Sequence, residues 1–142
     1  MTLSILLALL QAAASPAAPG PADWSALPLI HITGADDMGG YAATEEVRRL
    51  TRTRLACRAS VRRMPGPEQA PNVRMQGMEV SLIVLVAPDG RFLNIVAAPG
   101  PCDPIRNFAR ALFNRHNRGR VRPPAGPGPA WYRTTISFRW EP

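Results

Sequence analysis

The sequence predicts an α+β domain, a two-layer sandwich in the order helix, strand, strand, helix, strand. Three observations carry this reading. Glu79 to Val86 (EVSLIVLV) is β-branched, apolar and too short for an ordinary helix. Ile105, Phe108, Ala109, Leu112 and Phe113 recur at the spacing of one helix face. Trp131 to Trp140 alternates, with Tyr132, Thr134, Ile136, Phe138 and Trp140 on one side and Arg133, Ser137 and Arg139 on the other.

The elements follow in chain order. Thr44 is placed to cap a first helix, with Glu45 and Glu46 in its first turn and Glu45 paired to Arg49 at i,i+4. Val47, Leu50 and Leu55 give that helix a narrow apolar stripe, and it is expected to end between Cys57 and Val61. Met64 to Met75 (MPGPEQAPNVRM) reads as a proline-rich loop. Pro88-Asp89-Gly90 is a tight-turn signal that joins Glu79–Val86 to a returning strand, Phe92 to Ala98. Asp103 is placed to cap the second helix with Pro104 at its first position, and Gly119 to stop it. A right-handed crossover through that helix sets the last strand beside the first. The three strands then form an antiparallel sheet with the most apolar strand in its centre. The helices cover one face.

The chain has 142 residues, enough for one domain with a modest core. All 17 of its basic residues are arginine and its formal net charge is +7. Arg, Ala, Pro and Gly share GC-rich codons, so much of the arginine and proline content follows from base composition. Leu3 to Leu10 is too short to span a bilayer and, with Ala12-Ala13-Ala14-Ser15 behind it, has the form of a secretory signal peptide over 1–14. A Pro/Ala-rich spacer and a short extended segment then occupy 15–35, and the domain 36–142. Trp24 to Thr33 reads as an irregular strand against the domain edge, since Pro28 argues against a central one. An exported product would be periplasmic or secreted. In such a compartment the only two cysteines, Cys57 and Cys102, are expected to pair. The alternative is two unrelated buried thiols.

Catalytic signatures are missing. His31 and His116 have no metal-binding spacing, and His116, one turn beyond Leu112, reads as a packed histidine. Asp36-Asp37 before Gly39-Gly40 reads as a solvated turn. There is no nucleophile elbow, P-loop or dinucleotide fingerprint. No metal, no cofactor and no enzymatic activity are expected. Basic residues form two dense groups, Arg48 to Arg63 and Arg106 to Arg122, with Arg48, Arg49, Arg52, Arg106 and Arg110 as the surface candidates. Most read as solvated helix faces. Export makes nucleic acid a poor partner for them and an anionic envelope surface, lipid or glycan, a better one.

The second half resembles the C-terminal domain of TonB and, more loosely, that of TolA. The resemblance runs from Val80 to Trp140. It consists of a strand ending in APDGR (Ala87 to Arg91), a return strand, an amphipathic helix, a basic stretch ending in proline (Arg120 to Pro123), a Gly-containing loop and a final strand, TTISFRW. The family's domain commonly opens on Tyr-Pro, whereas Tyr41 is followed by Ala42. The resemblance implies an interaction module of the periplasm, linked to transport. Its sheet edge would accept an extended peptide from an envelope protein or outer-membrane receptor. That edge maps to Arg133, Thr134, Thr135, Ile136, Ser137, Phe138, Arg139 and Trp140.

Overall fold

The structure is a computed structural model, and it describes residues 23–30, 38, 41–122 and 126–142. The expected signal peptide and spacer, His31 and Asp36-Asp37 lie outside the described residues. The elements are helix α1 (Tyr41–Thr53), helix α2 (Leu55–Arg58), strand β1 (Arg62–Met64), strand β2 (Met75–Val86), strand β3 (Phe92–Ala97), helix α3 (Asp103–His116) and strand β4 (Ala130–Trp140).

The α+β architecture is the expected one. The antiparallel order β3-β2-β4 also holds: β2 pairs with β3 from Leu82↔Ala97 to Val86↔Phe92, and with β4 from Gln76↔Trp140 to Val86↔Ala130. Asp89 ties the hairpin turn by accepting bonds from the Arg91 N–H and guanidinium, which hold its carboxyl below the usual carboxylate range. Gly90 supplies the positive φ, 86°, that the turn requires. β1 is an addition. It occupies the β3 side of β2 further along, pairing Arg62↔Gly77 to Met64↔Met75, so that the segment read as loop, Met64 to Met75, is closed at its two ends by this pairing. β2 correspondingly begins at Met75 rather than Glu79.

The two long helices, α1 and α3, lie on one face of the sheet. Val47 and Leu50 of α1 and Ile105, Ala109, Leu112 and Phe113 of α3 bury against Val80, Leu82, Val84, Ile136 and Phe138. The even-numbered residues of β4 and of most of β2 thus make one core, as a two-residue period demands. Ile83 is completely buried on the opposite face, at the position flanked by Val96 and Arg133 in the neighbouring strands.

Several helix details differ from the sequence reading. Thr44 is not a cap: α1 already runs from Tyr41, and Thr44 is buried within it. Glu45 and Glu46 therefore stand beyond the first turn. Their partners are Arg48 and Arg49 at i,i+3, at 3.0 and 2.7 Å, in place of an i,i+4 pair between Glu45 and Arg49. Those bonds hold both carboxyls below their ordinary range. The helix does not run on to Cys57. Arg54 is extended, φ −123° and ψ 117°, and the break rotates Leu55 out of the apolar stripe to 79% exposure. Asp103 lies inside α3, with Cys102 at the cap position, and it pairs with Arg106 at 2.6 Å. Phe108 is only half-buried. His116 is exposed and not packed, because the last core residue of α3 is Phe113 and the chain turns away through Arg118 and Gly119, φ 53° and 69°.

Thr134 carries a cost. Its side chain is 1% exposed in the core, and its hydroxyl has no hydrogen-bond partner among the described residues. A buried hydroxyl left unpaired is unfavourable, and valine has nearly its shape. Thr134→Val should therefore raise stability by about 1 kcal/mol. The check is a higher denaturation midpoint at unchanged m value; a lower one would mean that the hydroxyl is satisfied in solution.

Candidate functional site

The sequence placed the site on the last strand, and β4 is indeed at an edge of the sheet. Only its β2 side is fully paired. The backbone parity follows from one residue. The Arg133 N–H donates to the Pro28 carbonyl at 2.9 Å, and the Arg133 carbonyl accepts from the Ile30 N–H at 3.0 Å. Arg133 therefore turns both groups away from β2, and so do Thr135, Ser137 and Arg139 by the alternation of an antiparallel ladder. Thr134, Ile136, Phe138 and Trp140 spend their backbone groups on β2 and their side chains on the core.

This divides the eight candidate residues into two sets. Ile136, Phe138 and Thr134 are buried structural residues whose side chains no partner can reach, and Trp140, 8% exposed, shows only its border with a shallow recess beside Gln76 and Glu141. Arg133, Thr135, Ser137 and Arg139 form the edge itself. At Arg133 the edge is already occupied. Leu29 makes an isolated parallel bridge with Arg133, and the Arg133 guanidinium donates to the Leu27 carbonyl at 2.9 Å. A short piece of the N-terminal extended segment is thus laid on β4 as an added strand. Pro28 is tolerated there because it contributes only its carbonyl. Beyond Arg133, the outward N–H and C=O groups of Thr135, Ser137 and Arg139 have no backbone partner among the described residues. Arg139 Nε is shielded from solvent and lacks an acceptor among them.

The basic candidates separate in a different way. Arg48, Arg49, Arg52 and Arg106 each have a carboxylate within 4 Å, from Glu45, Glu46, Glu45 and Asp103 respectively. Arg110 has no ion-pair partner among the described residues, and it projects from the exposed side of α3. Arg48, Arg49 and Arg52 thus share two carboxylates of their own helix. An anionic surface would have to compete with those carboxylates.

Cys57 and Cys102 are joined in a disulfide. It links α2 to the cap position at the start of α3, and both residues are buried. Among the described residues no cluster of His, Cys, Asp and Glu can hold a metal ion, and no helix is long and apolar enough to cross a membrane. Comparison of the chain with protein families, with curated proteins and with solved structures gives no match.

The strand that Leu29 adds to β4 was weaker in the sequence than the helices because it is held by main-chain bonds. Its one signal was an apolar stretch, Leu27 to Ile32, carrying a proline that a central strand would not accept.

Proposed function

We propose that this chain is an exported protein-interaction module that receives an extended peptide on the outer edge of β4. The observation that carries the reading is the parallel bridge at Arg133: two backbone bonds, to Pro28 and Ile30, and one guanidinium bond, to Leu27, hold that short segment against the edge. An edge that takes one extended segment has the twist, spacing and access to take another. Thr135, Ser137 and Arg139 continue that edge, and their side chains lie off the core. The likeness of Val80 to Trp140 to TonB C-terminal domains points the same way, and with it the periplasm as the compartment and an envelope protein or receptor segment as the partner. Affinity would come from main-chain bonds, and specificity from alternate side chains of the incoming strand.

The test is backbone amide shift mapping on the intact, oxidised chain, with peptides taken from candidate envelope receptors. Saturable perturbations at Thr135, Ser137 and Arg139 are the expected result at moderate salt. Perturbations confined to Arg48, Arg49 and Arg52, and abolished by raising the salt, would overturn it in favour of an anionic lipid or glycan surface.

A further inference from the structure

The sheet has a second edge, and it lies beside a helix. We infer that the groove between β3 and α3 is a separate docking site for a short extended peptide bearing a carboxylate. This does not depend on the β4 edge; it concerns the opposite side of the sheet.

The backbone parity again decides which groups are free. Since the odd residues of β4 face outward, the odd residues of β2 turn their groups towards β3. The bond from the Ala98 N–H to the Ser81 carbonyl, 2.9 Å, agrees. Asn94 and Val96, opposite Leu85 and Ile83, therefore exchange bonds with β2. Ile95 and Ala97 point their groups to the open edge. The Ala97 carbonyl is taken by Arg106 at 3.3 Å. At the other end the Phe92 N–H donates to the Gly119 carbonyl at 2.8 Å. Between these closed ends the Ile95 N–H and C=O and the Ala97 N–H have no partner among the described residues.

A groove of about 560 Å³ runs along this edge, lined by Phe92, Leu93 and Ile95 on the strand and Asn107, Arg110 and Asn114 on the helix. A smaller recess of about 160 Å³ continues it past Val96 towards Arg106. The floor is apolar, and Leu93 is 51% exposed, which is high for a leucine in a strand. The polar part of the lining is three amides, Asn94, Asn107 and Asn114, together with Arg110. Arg110 lines both parts of the groove and is the one residue of the basic candidates without a carboxylate among the described residues.

These features specify the occupant. An extended segment can exchange backbone bonds with Ile95 and place an apolar side chain on Leu93. A carboxylate on the neighbouring position can then reach Arg110 as a charge-assisted pair. Six residues of β3 at about 3.3 Å each give room for about five or six peptide residues. The net charge of +7 favours approach of an acidic segment over a basic one.

The experiment titrates the full-length oxidised chain with end-blocked hexapeptides of alternating leucine and aspartate. Controls carry asparagine for aspartate, or a methyl group on alternate backbone nitrogens. Shifts at the Ile95 and Ala97 amides and the Arg110 side chain are expected with the acidic peptide. Binding should weaken about tenfold with the asparagine peptide or with Arg110→Gln, and be lost on N-methylation. Ala111→Trp, at an exposed position of the groove wall, should abolish binding without lowering the denaturation midpoint. Absence of these shifts, or equal affinity for the aspartate and asparagine peptides, would overturn the inference. So would concentration-dependent shifts at Ile95 without peptide, which would make a second copy of the chain the occupant. Shifts at Thr135 to Arg139 report on the β4 edge alone, so the two sites succeed or fail separately.

Discussion

The double substitution Cys57→Ala, Cys102→Ala should cost about 4 kcal/mol of folding stability. The cysteines are 45 residues apart in sequence, and closing a loop of that size removes chain entropy from the unfolded state worth about 4 kcal/mol at 25 °C. A domain of this size is stable by only about 5–15 kcal/mol, so the loss is a large share of the whole. Alanine is the better replacement because both positions are buried, and a serine hydroxyl would add a desolvation cost. Urea denaturation of the oxidised protein and of the double variant measures the difference. The m value should also rise, since the unlinked chain unfolds to a more expanded state. A loss below about 1 kcal/mol would show that unfolded-state restriction contributes little here. The bond also fixes the short α2 against the start of α3, so the variant should open first in that corner, read as faster amide exchange at Ala56 to Arg58.

Phe138→Ala should cost about 3–5 kcal/mol. Phe138 is among the largest of the fully buried side chains, and it lies on β4 in the layer that faces both helices. Truncating it removes a ring that packs against Phe108, 6.2 Å between centroids, and leaves a cavity in a sheet that cannot collapse freely. Phe108→Ala should cost distinctly less, because that ring is only partly buried, and Leu112→Ala, fully buried on the same helix, more than Phe108→Ala. Arg110→Ala, on the exposed side, should change stability by no more than about 0.5 kcal/mol. Equal losses at Phe108 and Phe138 would contradict the burial difference that separates them.

The two proposed docking edges differ in what restrains them. On the β4 side the chain lays down its own segment at Arg133, so a partner must either extend past Pro28–Ile30 or displace it. On the β3 side the helix forms one wall, and the Gly119 carbonyl and the Arg106 guanidinium close the two ends. Each arrangement shortens the length of naked edge, which is how sheet proteins limit unwanted pairing with their own kind.

What the amino-acid order determined by itself was periodic and local. The two-residue alternation of Trp131 to Trp140, the apolar run Val80 to Val86 and the i, i+3, i+4 pattern of Ile105 to Phe113 each marks a face, and burial follows the face. Gly90 and Gly119 mark turns because, without a Cβ, they take positive φ, and Asp89 because its carboxylate accepts bonds within the turn. The sole cysteine pair of the chain pointed to the disulfide. Tertiary structure alone decided the remainder. β1 is Arg-Arg-Met, with no apolar alternation to announce it, and it is a strand only because β2 offers a ladder at Met75 to Gly77. The break at Arg54 re-aims Leu55 although the local sequence contains no proline or glycine to signal it. The occupancy of β4 at Arg133 and the open groups at Ile95 are matters of main-chain pairing. Backbone N–H and C=O groups are nearly the same in every residue, so only the assembled sheet shows which are spent and which remain free.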